Sequence, residues 1–118
     1  MYRLRVKESF AASHILPDHN GPCSKLHGHT WKVAIEVSAK NVGNGGMVVD
    51  FADLKRELRR VVAIFDHSHL NDLKWFQVVP PTAENVAAVF RGEINFVGLT
   101  SVTIWESDSA SVTLECGE

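Results

Sequence analysis

The sequence lacks the features that mark membrane-spanning and nucleic-acid-binding proteins. Its uninterrupted apolar runs are only a few residues long, whereas a membrane-spanning helix needs about 20 predominantly apolar residues. The formal net charge is only −2, with 12 Lys and Arg against 14 Asp and Glu. Such a balance provides no basic surface for nucleic acid or for an anionic membrane. We therefore expect neither of them among the partners of this protein.

Cysteine is also scarce, since Cys23 and Cys116 are the two cysteines among 118 residues. Residues 1–7 alternate charged and apolar side chains, which is typical of a strand rather than of an export signal. We therefore expect a cytoplasmic protein, in which a Cys23–Cys116 disulfide would not form. The length is that of one domain, and residues 1–118 contain no repeat, linker or low-complexity segment.

Two segments that alternate apolar and polar residues, 2–14 and 27–39, predict the first two strands. In a strand, side chains two positions apart lie on the same face, so His27 and His29 share the apolar face of the second strand. His14 ends the apolar face of the first strand. Antiparallel pairing of the two strands would place all three histidines at one end of the core.

The rest of the chain predicts two helices followed by two strands. Asp50 and Thr82 are suited to cap helices over 51–64 and from residue 83 onward, and residues 100–106 and 111–116 alternate again. The expected class is α+β, with a four-stranded antiparallel sheet and two helices inserted between strands 2 and 3. Such a sheet has two open edges, which are normally blunted or paired. We therefore expect a homo-oligomer.

Three neutral imidazoles without a fourth protein ligand are typical of a catalytic zinc site, which keeps one position open. Iron and copper also accept imidazole, but a tetrahedral site made of histidine alone favours zinc. Cys23 lies four residues before His27, and the spacing leaves its role open. It can be a ligand, a nucleophile, a general base or only a small loop residue. As a fourth ligand it would close the site, as in a zinc-stabilised binding module.

Three acidic residues bear on the chemistry of the predicted site. Asp66 directly precedes His67, and a carboxylate can orient an imidazole for proton transfer. Glu106 lies on the apolar face of its strand, where it suits a ligand edge with two parallel N–H donors. A cupin would take Glu36 as a metal ligand beside the His-x-His pair, but the alternation places Glu36 on the opposite face. The remaining histidines, His19 and His69, are expected in solvent.

Six short segments, in order over nearly the whole chain, resemble the 6-pyruvoyltetrahydropterin synthase family. They are Phe10-Ala11-Ala12-Ser13-His14, Cys23-x-x-x-His27-Gly28-His29, Met47-Val48-Val49-Asp50-Phe51, Asp66-His67-x-x-Leu70-Asn71, Pro81-Thr82-Ala83-Glu84-Asn85 and Trp105-Glu106. The compact length most resembles the microbial 6-carboxytetrahydropterin synthases of 7-deazaguanine (queuosine) biosynthesis. His69 departs from the family, which often has an aromatic residue there.

The resemblance implies a tunnelling fold, in which the sheets of several subunits close a barrel as a trimer and two trimers stack into a homohexamer. It implies a zinc-dependent lyase that converts 7,8-dihydroneopterin triphosphate to 6-carboxy-5,6,7,8-tetrahydropterin, with release of triphosphate and acetaldehyde. The alternatives are a 6-pyruvoyltetrahydropterin synthase, a relative making a hydroxymethyl pterin for folate, and a non-catalytic zinc-bound oligomeric module. Cys23 argues against the folate-type relatives, in which glutamate replaces this base.

The resemblance also implies a role for each matched residue. Zinc is expected at His14, His27 and His29. Cys23 is expected as the catalytic proton acceptor, with Asp66 and His67 as the catalytic pair. The site is expected at a subunit interface, where Cys23 and His67 can come from different chains. Glu106 is expected to anchor the pterin ring and complete the proton relay, and Thr82 and Glu84 are expected to line the pterin pocket.

Overall fold

A computed structural model describes residues 1–17, residue 21 and residues 24–117. Its helices and longer strands follow the predicted order. They are β1 (Tyr2–His14), β2 (His27–Ala39), α1 (Phe51–Phe65), β3 (Ser68–His69), α2 (Ala83–Glu93), β4 (Leu99–Ser107) and β5 (Ala110–Glu115). None of the helices in the described ranges is long and apolar enough to cross a membrane.

The sheet has five strands in the order β3-β1-β2-β4-β5. The four longer strands are antiparallel, and both helices lie between β2 and β4 in the chain, as predicted. The expectation of a purely antiparallel four-stranded sheet was wrong, because β3 pairs with β1 in parallel through Ala12 and Ser13. A strand of two residues is too short to show an alternating pattern, so the sequence could not reveal it. Closure of a barrel by subunits stays a prediction.

Both helices begin where their capping residues predict. The Asp50 carboxylate accepts a hydrogen bond from the backbone N–H of Ala52 at 2.8 Å, and the Thr82 hydroxyl accepts one from Asn85 at 3.1 Å. These caps satisfy N–H groups that have no partner within the helix. The caps fix where each helix starts, and the apolar stripe of each helix fixes the face that meets the sheet; in α1 this stripe is Leu54, Leu58, Val61, Val62 and Phe65.

The helices cover one face of the sheet and form the core with it. Phe10 of β1 lies at the centre of this core, with its ring 6.0 Å from Trp31, 5.5 Å from Phe65 and 5.9 Å from Phe90 between centroids. These neighbours belong to β2, α1 and α2, so one side chain joins the sheet to both helices. Cys116 is half-buried against the same core, and this burial raises the pKa of its thiol.

Replacing Phe10 with alanine is expected to lower the free energy of unfolding by about 3–5 kcal/mol, because it leaves a cavity at the junction of sheet and helices. Equilibrium unfolding in urea at a fixed protein concentration measures the change. Phe51→Ala is the matched control, since the Phe51 side chain is 53% exposed. That variant should change stability by no more than about 0.5 kcal/mol. A Phe10→Ala loss as small as that of the control would contradict this description of the core.

Candidate metal centre

The pairing of β1 with β2 brings three histidines together at one end of the sheet. His14 lies opposite His27, and Ala12 lies opposite His29 in the antiparallel register. One ring nitrogen of each histidine lies within 4.8 Å of the corresponding nitrogens of the other two. The predicted convergence is confirmed, and it follows from the alternation of side chains along each strand.

The three nitrogens that converge form no hydrogen bond with the described residues. The Nε2 atoms of His14, His27 and His29 are buried and have no hydrogen-bond partner there. Leaving a buried polar atom unpaired costs about 1–3 kcal/mol, so three such atoms at one point are unfavourable unless they bind something. Three imidazole lone pairs that point to one place fit a metal ion with an open fourth position.

The opposite ring nitrogens fix the orientation of two of these histidines. The Nδ1 of His14 lies 2.9 Å from the carbonyl oxygen of Pro81, and the Nδ1 of His27 lies 2.6 Å from that of Lys25. A carbonyl oxygen can only accept, so each Nδ1 carries the proton and donates it. The Nε2 lone pair is then free for a metal, in the arrangement that commonly orients metal-binding histidines.

The surroundings also favour the neutral form of His14 and His29. Burial lowers the pKa of His14 and of His29, and the positive charge that His27 would carry acts in the same direction. The hydrogen bond to Pro81 raises the pKa of His14, and the Glu106 carboxylate raises the pKa of both histidines, but burial has the largest effect and both values are lowered. A histidine must be neutral to bind a metal, so the protein prepares these rings for that role near neutral pH.

Glu106 reaches the same site from β4. Its Oε2 lies 3.4 Å from the Nε2 of His14. The pairing of β2 with β4 begins at Lys32 and Trp105, and the ends of the two strands beyond this pair border a cleft of about 450 Å³. The lining residues are Gly28, His29, Thr30, Lys32, Glu106, Ser107 and Asp108. A carboxylate and a candidate metal ligand thus share one cleft.

Residues 3–116 match the sequence model of a family described as 6-pyruvoyl tetrahydropterin synthase. The chain belongs to this family. The six segments that suggested the resemblance fall within the matched range, and the three histidines of the metal centre come from the first two of them.

Curated relatives share the family and a more specific name. A 6-carboxy-5,6,7,8-tetrahydropterin synthase of Synechocystis is 39% identical over 115 residues, which cover 91% of this chain and 88% of the relative. A protein of Archaeoglobus fulgidus that carries the same name in provisional form is 45% identical over 94 residues, covering 80% and 76%. The chain is thus similar over most of its length to proteins named for one pterin product.

Solved structures of the family have the same fold. The 6-pyruvoyl tetrahydropterin synthase of Caenorhabditis elegans superimposes with a TM-score of 0.90 at 27% identity, covering 98% of this chain and 96% of that one. The corresponding enzyme of Plasmodium falciparum gives a TM-score of 0.73 at 18% identity, covering 96% of each chain. The second likeness is one of fold alone.

The predicted pair of this pterin synthase homologue, Asp66 and His67, lies at the edge of β1. The Oδ1 of Asp66 accepts a hydrogen bond from the Ala11 backbone at 2.9 Å, and its Oδ2 lies 3.7 Å from the Nε2 of His67. The His67 backbone N–H donates to the Ala11 carbonyl at 2.7 Å. The His67 side chain is 84% exposed and, within the described ranges, no contact joins it to the three histidines. The imidazole is therefore accessible to a second molecule.

The backbone of His67 is unusual because its φ is +58°. A residue with a side chain occupies this left-handed region at a cost of about 1 kcal/mol or more, so the surrounding contacts must hold it there. Two hydrogen bonds with Ala11 do so: the Ala11 N–H donates to the Asp66 carboxylate, and the Ala11 carbonyl accepts from the His67 backbone. The turn that they fix directs the His67 ring away from the core.

Two further predicted residues lie near the start of α2. Thr82 is half-buried, and its hydroxyl caps the helix by accepting from Asn85. It directly follows Pro81, whose carbonyl accepts from His14. Glu84 is exposed in the first turn of the helix. Thr82 is therefore the sequence neighbour of the residue whose carbonyl orients His14. The pocket roles of Thr82 and Glu84 stay predictions.

Cys23 and His19 lie outside the described residues, so the catalytic role of Cys23 stays a prediction. His69 corrects another expectation, since it is half-buried rather than solvated, and its Nδ1 lies 2.9 Å from the Ser13 hydroxyl. Pairing of β3 with β1 brings these two side chains together.

Glu36 lies on the face opposite the histidines, with its Oε2 3.5 Å from Arg5, which agrees with the argument against a cupin site.

Sequence reasoning missed two groups that support the centre. The Pro81 carbonyl orients His14, and the Asn71 side chain binds the backbone of Ile15 through both its oxygen and its nitrogen. Each connects positions that are far apart in the chain. Both belong to segments that suggested the family, but a short motif does not say which backbone atoms its residues contact.

Proposed function

We propose that this protein is a zinc-dependent lyase of the pterin synthase family. It would convert 7,8-dihydroneopterin triphosphate and one water molecule to 6-carboxy-5,6,7,8-tetrahydropterin, with release of triphosphate and acetaldehyde, in 7-deazaguanine (queuosine) biosynthesis. The observation that carries the proposal is the convergence of three unpaired histidine Nε2 atoms beside the Glu106 carboxylate. The names of the curated relatives support the 6-carboxy product.

The histidines supply the metal site. His14, His27 and His29 would hold Zn²⁺ through their Nε2 atoms, since a set of neutral imidazoles suits zinc and leaves one position open. The bound zinc would act as a Lewis acid on the side-chain oxygens of the substrate. The Pro81 and Lys25 carbonyls would keep the rings of His14 and His27 directed at the ion.

Glu106 would bind the pterin ring. A pterin presents an amidine-like edge with two parallel N–H donors, and a carboxylate accepts both in a charge-assisted pair. The Glu106 carboxylate lies close enough to His14 that a ligand held by it would reach the metal site with its side chain. This arrangement supports binding of the substrate in one orientation.

Cys23 would remove a proton from the substrate side chain, and His67, oriented by Asp66, would relay protons. The exposed side chain of His67 supports a site shared between subunits, in which His67 serves the metal centre of a neighbouring chain. The outer edges of β3 and β5, the end strands of the sheet, would pair in a homohexamer built as a dimer of trimers. We place this enzyme in the cytoplasm, with a small-molecule pterin and copies of itself as its partners.

Replacing Cys23 with alanine is expected to lower turnover about 10²–10⁴-fold, because the variant loses its general base. The metal content should not change, since three histidines remain to bind it. Turnover of 7,8-dihydroneopterin triphosphate and metal content by elemental mass spectrometry measure the two effects. Cys116→Ala is the matched control, since Cys116 packs half-buried against the core. Loss of metal in Cys23→Ala would instead identify Cys23 as a structural ligand.

A 6-pyruvoyltetrahydropterin synthase is the second candidate, favoured by the close superposition on the enzyme of that name from C. elegans. Incubation of the zinc-loaded protein with 7,8-dihydroneopterin triphosphate, followed by mass spectrometry, distinguishes the two. A 6-carboxytetrahydropterin product with acetaldehyde is the expected result. A 6-pyruvoyl product would replace the proposal with the second candidate, and no product would leave a non-catalytic zinc-bound module.

A further inference from the structure

The residue that follows the first candidate metal ligand is held by a single side-chain amide. The Oδ1 of Asn71 accepts a hydrogen bond from the backbone N–H of Ile15 at 2.9 Å, and the Nδ2 of Asn71 donates to the Ile15 carbonyl at 3.0 Å. Both residues are half-buried. The amide thus satisfies both polar groups of the Ile15 backbone, as a neighbouring strand would do.

This contact ends a continuous series along the edge of β1. Earlier in the series, Ala11 binds the Asp66 carboxylate and the His67 backbone, and Ser13 binds His69. Residues 66–71, which make these contacts, are held against the core by Leu70, which is fully buried. Since β1 ends at His14, the regular ladder cannot continue, and the Asn71 side chain takes its place.

The position of this contact connects three parts of the proposed site. His14 directly precedes Ile15, so the position of the Ile15 backbone determines the position of His14, the first candidate metal ligand. The connection over residues 15–26, which contains Cys23, begins at the held residue. The other end of that connection is held through Lys25, whose carbonyl accepts from His27. The Asn71 amide therefore contacts the chain at the point where the strand that carries His14 ends and the 15–26 connection begins.

We propose that Asn71 is a positioning residue for the metal centre, fixing His14 and the start of the 15–26 connection through the Ile15 backbone. The inference rests on the proposed function, since it assumes that the three histidines bind a metal. Asn71 does not touch the metal site itself. Its effect passes through one residue of backbone, which makes His14 the ligand most sensitive to its loss.

The chemistry of the side chain explains why an amide is required. Asparagine offers a donor and an acceptor side by side, which match the C=O and N–H of one residue. Aspartate keeps the acceptor but places a second oxygen against the Ile15 carbonyl. Leucine has nearly the same shape and neither group, so two half-buried backbone groups would lose their partner.

The test compares Zn²⁺ affinity in competition with a chromophoric chelator, at a temperature well below the thermal transition of each variant. Asn71→Leu is expected to weaken Zn²⁺ binding about tenfold, the lower end of the range for contacts behind metal ligands. Asn71→Asp, which keeps the bond to the Ile15 N–H, is expected to lose less. If Asn71→Leu does not fold, the Zn²⁺ affinity of Asn71→Asp still tests the inference.

Gln77→Ala is the matched control. Its amide donates to the Asn71 carbonyl at 3.0 Å and to the Leu73 carbonyl at 3.3 Å, so its loss loosens the same segment and leaves the Ile15 contact intact. Gln77→Ala is expected to lower the melting temperature without changing the affinity for Zn²⁺. A purely structural role of Asn71 would give this same result for Asn71→Leu.

Substitution with Co²⁺ adds a readout of geometry, because the visible absorption of this ion depends on the arrangement of its ligands. A changed Co²⁺ spectrum in a folded Asn71 variant, together with weaker Zn²⁺ binding, supports the inference. Wild-type affinity and spectrum in both Asn71 variants, or an equal loss in Gln77→Ala, overturns the inference and leaves the proposed function standing. Wild-type protein that binds neither ion overturns both.

Discussion

Replacing His29 with alanine is expected to abolish metal binding while the chain still folds. Two imidazoles would remain, and the affinity should fall more than about 100-fold, beyond the range for contacts that only support a ligand. His29 is half-buried at the end of the sheet and is not part of the hydrophobic core, so its removal leaves the aromatic core intact. Elemental analysis after dialysis against metal-free buffer measures the loss, and circular dichroism checks the fold.

His67→Ala is the control, because it removes a histidine that is not one of the three proposed metal ligands. The His67 ring is exposed and, in the part of the chain that the structure describes, lies outside the histidine cluster. This variant should therefore bind the metal as the wild type does and lose turnover only. Equal metal content in His29→Ala and in the wild type would contradict the three-histidine centre.

Replacing Glu106 with glutamine is expected to lower kcat/KM about 100-fold for 7,8-dihydroneopterin triphosphate. The carboxylate accepts two N–H donors, whereas a carboxamide offers one acceptor and one donor. The variant would lose a charge-assisted hydrogen bond, and the N–H of its carboxamide would face an N–H donor of the pterin. Together these changes would weaken substrate binding by about 3 kcal/mol. Steady-state kinetics should show much of the loss in KM, because in the proposed role Glu106 would bind the substrate from its first encounter.

Asp108→Asn is the matched control for Glu106→Gln. Asp108 lines the same cleft but is exposed, and its carboxylate lies 2.8 Å from the Lys32 ammonium. This pair lowers the pKa of Asp108, and an exposed ion pair adds little to binding or stability. The control should keep kcat/KM near the wild-type value. Unchanged kinetics in Glu106→Gln would contradict its role as the pterin anchor, and loss of metal would make it a ligand.

Features that depend on a local pattern could be predicted from the sequence. The alternation over 2–14 and 27–39 gave both long strands with their observed bounds, and Asp50 and Thr82 gave both helix starts. The meeting of the three histidines required one more assumption, that the strands pair antiparallel across their connection. The register confirmed it, because His14 lies opposite His27.

Features that depend on distant segments could not be predicted in the same way. β3 has two residues, and its pairing with β1 rests on the turn at His67 rather than on a pattern of its own. The Pro81 carbonyl contacts His14 from a position 67 residues away in the chain, and the Asn71 amide contacts Ile15 from a position 56 residues away. A backbone carbonyl is present at every residue, so no residue type marks the one that a histidine will use.

The most direct test of the account is turnover of 7,8-dihydroneopterin triphosphate by the same protein without and with its metal. The protein is stripped with a chelator, dialysed and then reloaded with one equivalent of Zn²⁺, and products are followed by mass spectrometry. We expect no product from the stripped protein and recovery of 6-carboxytetrahydropterin on reloading. Equal turnover by stripped and reloaded protein would contradict a catalytic role for the three-histidine centre.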